Sequence, residues 1–243
     1  MAHIGMDDVP TQLREGLGQL QERLDLPKAF PADVLADAQK AASLPAPGHT
    51  DRTDIEFVTI DPAASTDLDQ AMQIERDGDG YLVRYAISDV GHFVRTGTAL
   101  EAETHRRGQT KYAPGARIPL HPEVLSEGAA SLLADGTPRP AMLWELRLDA
   151  EGELADVSLT RAMVLSRAKL SYAGAQDDLT KGTAHPSIAL LPEVGRLRER
   201  LEIAREACRS TCPTRRSSNV TAPGSWRSGR STRWRPGTRR SRC

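Results

Sequence analysis

The stretch Asp61-Pro-Ala-Ala-Ser-Thr-Asp67-Leu-Asp69-Gln70 sets three carboxylates close together and follows the third with a neutral amide. Carboxylates this near repel one another unless a cation shares their field, and their hard oxygens suit Mg²⁺ or Mn²⁺. Such sites act on phosphodiesters: one ion helps to generate the attacking hydroxide, and a second stabilises charge on the leaving oxygen. Asp is also common in loops because its side chain satisfies nearby backbone donors, and Asp77 and Asp79 in Asp77-Gly-Asp-Gly80 are read that way. A calcium loop between paired helices would need Gly at its sixth position and Glu at its twelfth. Asp67 is instead followed by Leu-Asp-Gln-Ala-Met between extended flanks, which argues against it.

The elements around this loop define its mount. The segment 55–60, Ile-Glu-Phe-Val-Thr-Ile, is β-branched and apolar and predicts a strand leading into Asp61. Two further strands, 71–76 and 81–88, flank the Asp-Gly-Asp-Gly turn, with Tyr81, Val83, Tyr85 and Ile87 on one face of the second. Upstream, Leu13, Leu17, Leu20 and Leu24 predict a helix over 10–26 with Pro10 in its first turn, and 31–43 predicts another. These make residues 1–50 a short helical lead-in, too small for an independent domain. Downstream, 99–108 predicts a helix capped by Gly108, and 140–170 two or three strands with a hairpin turn at Asp149-Ala-Glu-Gly-Glu153. Leu190, Val194, Leu197, Leu201 and Ala204 predict a final helix over 188–206. The expected fold is α+β, a mixed sheet with flanking helices spanning 51–206.

The formal net charge of −1 conceals a division. Residues 207–243 hold ten of the 32 basic residues, all Arg, and no acids, which leaves 22 bases against 33 acids in the body. The tail also holds Cys208, Cys212 and Cys243, so thiolate metal sites and disulfides are excluded from the body. No apolar run approaches the roughly 18–20 residues needed to span a bilayer, and the start lacks a basic region followed by an apolar stretch. A cytoplasmic protein is expected.

Several blocks together carry a resemblance. Thr59 to Met72, then the stretch from Tyr85 to Leu132 with its Thr-Lys-Tyr-Ala-Pro-Gly core, then Arg139 to Leu154, resemble in order and spacing the first half of the RNB catalytic domain of the ribonuclease II and ribonuclease R family. The resemblance implies a processive, metal-dependent exoribonuclease that degrades single-stranded RNA from the 3′ end to nucleoside monophosphates, using Mg²⁺ or Mn²⁺. It places Asp61, Asp67 and Asp69 at the metal site, with Asp67 and Asp69 catalytic and Asp69 the most sensitive. Gln70 stands at a fourth ligand position where the family has Asp; its carbonyl can ligate a cation but brings no charge. Tyr112 matches the position of an RNA-binding aromatic that stacks near the 3′-terminal nucleotide, and stacking is tolerant of base identity. His92, His105 and His121 match no metal or triad spacing and are expected to be structural or surface residues.

The resemblance implies a second half bearing an Arg-rich catalytic motif and much of the RNA channel. In its place stands the basic tail, 207–243, expected to be disordered. One reading makes it an RNA-binding arm. The other makes it out-of-frame translation: back-translating Arg233–Thr238 and reading from the third base gives Val-Glu-Ala-Trp-Asn, and Arg209–Ser217 gives Val-Asp-Leu-Pro-Asp-Glu-Glu-Val. Both resemble the family's continuing sequence, and the expectation is a frameshift close to Ala207 or Cys208 that leaves a truncated, weakly active or inactive fragment.

Overall fold

A computed structural model describes residues 11–24, 26–27, 29–113 and 116–205. The chain divides into two units at Glu206, and the Arg-rich tail lies outside the described residues, as does the expectation of its disorder.

In chain order the elements are α1 (Thr11–Arg23), α2 (Ala32–Ala42), β1 (Thr50–Asp51), β2 (Phe57–Ile60), β3 (Gln70–Asp77), β4 (Gly80–Ser88), α3 (Val90–Phe93), α4 (Ala99–Arg107), β5 (Lys111–Ala113), β6 (Ala116–Ile118), β7 (Arg139–Leu148), β8 (Leu154–Val164), β9 (Ser166–Leu170), α5 (Tyr172–Lys181) and α6 (Leu191–Ala204). The final helix starts later than the apolar stripe suggested: a 3₁₀ turn, Pro186–Ile188, precedes it, and a proline in its own first turn sets the start.

Seven strands form one mixed sheet in the order β1-β8-β7-β4-β3-β2-β9. β1 pairs with β8 and β2 with β9 in parallel, and the other pairs are antiparallel. Only Leu165 separates β8 from β9, yet they lie toward opposite ends of the hydrogen-bonding order. A flat sheet cannot satisfy both facts, so the sheet curls and brings β9 round toward β8. The concave side is filled by Phe57, Leu143 and Val164 among the small side chains of Ala71, Ala86, Ala141 and Ala162. Small residues there let opposite walls approach and keep the interior solid.

On the convex side, α6 and the 3₁₀ turn cover Ile74, Tyr81 and Leu148 through Val194, and Val58 through Ile188. Farther along this face, cross-strand neighbours of Tyr85 and Val83 on β7 and β8 lead out to Leu159 and Val157, which with Ile87 stay exposed.

The β3–β4 turn is tight because Asp77 pairs directly with Gly80, and Gly78 takes a positive φ of 58°. Asp77, read from sequence as serving only its own turn, instead accepts from Arg147 on β7. A short turn leaves that carboxylate beside the next strand, so a cross-strand cation reaches it. The Asp149–Glu153 turn passes under α6: Gly152 has φ 84°, its carbonyl accepts from Arg198, and a Cβ there would sit 2.7 Å from Leu197 Cβ.

α2 buries Val34, Ala38 and Ala41 with Phe93, Leu100 and Leu125. Asp37 on α2 accepts the backbone N–H of Ala99, and the Thr98 side chain caps α4 by accepting from Glu101 N–H. Gly108, with φ 73°, closes α4 by donating to Thr104 O, as its sequence position predicted. Leu20 and Leu24, toward the end of α1, are exposed.

Candidate active site

β2 and β3 are antiparallel neighbours, so the end of one lies beside the start of the other. Asp61 directly follows β2 and donates its N–H to Leu170 O at 3.0 Å, prolonging the β2–β9 pairing. Gln70 opens β3, and Ser88 N–H donates to Asp69 O at 2.9 Å, prolonging the β3–β4 ladder by one residue. Both ends of the acidic loop are thus continuations of strands.

Between them the loop is pinned by its one large apolar residue. Leu68 is wholly buried, its N–H donates to Ser131 Oγ (2.9 Å), and its carbonyl accepts from Leu132 N–H (2.8 Å). Ser131 Oγ donates in turn to Thr66 O at 2.7 Å. Residues on either side of an inward-pointing side chain in an extended segment share the opposite face, so burying Leu68 turns Asp67 and Asp69 outward together. Lys169 on β9 donates to the carbonyls of Ala63 and Ser65, holding the first half of the loop.

Asp61, Asp67, Asp69 and Gln70 therefore line one cleft of about 200 Å³, over an apolar floor that includes Val58 and Met72, with Tyr85 and Tyr172 as further walls. Burial, then the charge of Asp67, pushes the Asp61 carboxyl above the usual range, with Lys169 opposing. Burial, then the charges of Asp67 and Asp61, pushes Asp69 up in the same way, against Arg117. Asp69 still reaches solvent, so crowding by protein and like charge, rather than full enclosure, raises it. Gln70 Oε1, the atom that would meet a cation, accepts a hydrogen bond from Tyr85 Oη. Burial and the Asp61 charge raise the Tyr85 phenol, which keeps it a proton donor.

The donor set is all oxygen with concentrated negative charge, which fits a hard divalent cation chemically. Among the described residues no three acidic, His or Cys side chains stand close enough to enclose an ion as placed. Asp61, Asp67 and Asp69 are the residues that would hold one.

Tyr112 does not line the cleft. It is 74 % exposed on the β5–β6 hairpin, directly opposite Arg117 in register. Arg117 Nη2 lies 3.6 Å from Asp67 Oδ2 and its Nη1 3.0 Å from Glu127 Oε1, and Thr66 Oγ1 donates to Glu127 at 2.7 Å. The hairpin that presents Tyr112 is therefore tethered beside the acidic loop.

Tyr85, Tyr172, Arg117 and Lys169 were not singled out as site residues in the sequence. Tyr85 was visible only as part of a strand's apolar face, and Tyr172 reaches the cleft because parallel β2 and β9 end together. The three histidines expected to be structural or surface residues lie outside the cleft: His92 is buried with Nε2 3.3 Å from Leu44 O, His105 is exposed on α4, and burial lowers the pKa of His121. A fourth, His49, has its side chain buried with Nε2 2.9 Å from Asp89 Oδ2.

The architecture defines an α+β domain built on a curled mixed sheet, with an acid-lined cleft where three strands end. It superposes on Mycoplasma genitalium RNase R in complex with double-stranded RNA with a TM-score of 0.70 at 22% identity, over 78% of this chain and 36% of that one. In sequence it is 35% identical over 164 residues to Exoribonuclease 2 of Pectobacterium atrosepticum, covering 66% of this chain and 25% of that protein. It is 34% identical over 166 residues to Ribonuclease R of Escherichia coli K12, covering 65% and 20%. Residues 49–217 match the RNB domain family, past the end of α6 and into the tail. The chain belongs to the RNB domain family, and it spans about a quarter of the length of the curated relatives it matches.

Proposed function

We propose that the chain supplies the acidic part of the site of a divalent-metal-dependent exoribonuclease, which shortens single-stranded RNA from its 3′ end by releasing nucleoside monophosphates. The observation that carries this reading is that Asp61, Asp67 and Asp69 line one cleft, where burial and the charge of neighbouring carboxylates raise the proton affinity of Asp61 and Asp69, in a chain of the RNB domain family. A cation bound by these carboxylates supplies water activation and charge neutralisation at the scissile phosphodiester. Water adds to the terminal phosphorus, the bond to the preceding 3′ oxygen breaks, and the phosphate leaves with the terminal nucleoside. Tyr85 donates to the Gln70 carbonyl, and the exposed rings of Tyr112 and Tyr172 offer stacking faces for bases of any identity.

The 243-residue chain alone is expected to hydrolyse RNA slowly or not at all, because the resemblance places an arginine motif that stabilises transition-state charge outside the matched half. Nucleotide release from single-stranded RNA with Mg²⁺ checks this against Asp69→Asn. Vigorous turnover abolished by Asp69→Asn would overturn the expectation of a weak fragment; turnover indifferent to Asp69→Asn would overturn the site.

The charge division favours a second reading, an RNA-binding fragment that works through its tail. It predicts steeply salt-dependent RNA binding that disappears on deleting residues 207–243. Binding unaffected by the deletion sinks it.

A further inference from the structure

Two cations face the carboxylate cluster among the described residues, and they are engaged differently. Lys169 spends its donors on the carbonyls of Ala63 and Ser65, so it is a structural tie of the loop. Arg117 stands between two acids. Its contact with Glu127 is 3.0 Å, whereas its approach to Asp67, at 3.6 Å, is an electrostatic contact beyond hydrogen-bonding length. Glu127 is itself fixed by Thr66 Oγ1, the residue before Asp67. The arginine is therefore held by one acid and leans over the other, with about 30% of its side chain open to solvent.

That arrangement has a consequence when Asp67 takes another partner. A divalent ion on the Asp67 carboxylate places like charge within a few ångströms of the guanidinium, and the weaker 3.6 Å contact yields first. Glu127 prevents the arginine from departing altogether. A guanidinium presents five N–H donors in a planar fork that matches a phosphate, and those released from Asp67 face the cleft side of the hairpin. Tyr112 is the directly opposed residue on the neighbouring strand, so the two side chains emerge on one face of the hairpin. A phosphate held by Arg117 would leave its attached base beside that ring.

We propose that Arg117 is a substrate-positioning residue with two successive partners: it is the counter-ion of Asp67 while the carboxylates hold no cation, and it turns to an RNA phosphate once a cation takes Asp67. The inference rests on the reading of Asp61, Asp67 and Asp69 as cation ligands. It makes Arg117 the coupling between cation binding and RNA binding, and such coupling is reciprocal.

The test uses the full 243-residue chain and two equilibrium titrations. The first is Mn²⁺ alone, by calorimetry. The second is a fluorescent, ribose-methylated single-stranded RNA, chosen to resist hydrolysis, in Mn²⁺ and again in EDTA. Arg117→Ala removes a competitor for Asp67, so Mn²⁺ binding should tighten roughly two- to fivefold, the range for a partly exposed ion pair. RNA binding in Mn²⁺ should weaken by about three- to tenfold, as expected for a lost charge-assisted contact, and change by less than about twofold in EDTA. Arg117→Gln, which keeps length but not charge, should behave alike, and Arg117→Lys should keep Mn²⁺ affinity near the parent's. A purely structural arginine would move cation and RNA binding in the same direction; weaker Mn²⁺ binding in both neutral variants, or an RNA loss equal in Mn²⁺ and EDTA, overturns the proposal. Mn²⁺ uptake with unaltered affinities in every variant overturns this inference alone. No Mn²⁺ uptake by the parent overturns the ligand reading and this inference with it.

Discussion

At the residue scale, the acidic loop works because one apolar side chain is buried among polar ones. Leu68 fills the gap beside Ser131 and Leu132, and its burial decides which way Asp67 and Asp69 face. Leu68→Ala should cost about 3 kcal/mol of stability, measured by denaturant unfolding, and should weaken Mn²⁺ binding although no ligand is removed. Gln70 carries a second prediction. Its oxygen is occupied by Tyr85, so Gln70→Asp should tighten Mn²⁺ binding by adding charge to the cleft, whereas Tyr85→Phe should leave Mn²⁺ affinity nearly unchanged and cost about 1 kcal/mol of stability. A large affinity loss in Tyr85→Phe would show that the phenol shapes the ligand set. The acids themselves were legible in the sequence because their spacing is local. Arg117 and Lys169 were not: each is an ordinary surface-type residue until the tertiary pairing brings it to the loop, from 50 residues away for Arg117's contact with Asp67 and from 104 to 106 for Lys169.

At the scale of elements, hairpins and helix ends follow their local signals. The Asp-Gly-Asp-Gly turn, the Gly108 cap and the turn at Gly152 all lie where glycine permits a backbone other residues resist. Gly152→Ala combines a positive φ with a 2.7 Å approach to Leu197 Cβ under α6, so it should destabilise by about 2 kcal/mol, with thermal unfolding as the measure. A neutral result would mean that α6 can lift off the turn. The parallel β2–β9 pairing left no such mark. Val58-Thr-Ile60 and Ala168-Lys-Leu170 read as two apolar-to-mixed strands, and nothing in either names the other as its neighbour. That pairing is what delivers Tyr172 to the cleft, so the missing wall and the missing topology were one omission.

At the scale of the whole molecule, the segment that leads into α2 is joined to α4 by a buried ionic cluster. Arg107 donates to Glu103 at 2.7 Å, to Ala29 O at 2.8 Å and to Pro119 O at 3.0 Å, and stacks on the Phe30 ring at 3.7 Å. Hydrogen bonds from Arg106 and Arg107, outweighing burial, hold the Glu103 carboxyl below its ordinary value. A carboxylate depressed on folding contributes stability above its unfolded pKa, and the contribution is lost as pH falls through the folded value. His121 has the same sign, since burial lowers it and the unfolded chain binds the extra proton. Unfolding free energy should therefore fall on acidification, first below neutrality through His121 and then at carboxylate pH through Glu103. In Glu103→Gln the carboxylate-range part should shrink; an undiminished slope there would assign it elsewhere. The late addition of β9 to the sheet also has a bearing on biosynthesis. Lys169 emerges from a ribosome 106 residues after Ala63, about ten seconds later at roughly ten residues per second. Throughout that interval the nascent carboxylates lack their clamp and β2 lacks its partner on one side. A chaperone that shields the first four strands, or a slow stretch of codons after residue 170, would raise the yield of folded protein, and a stall before it would not.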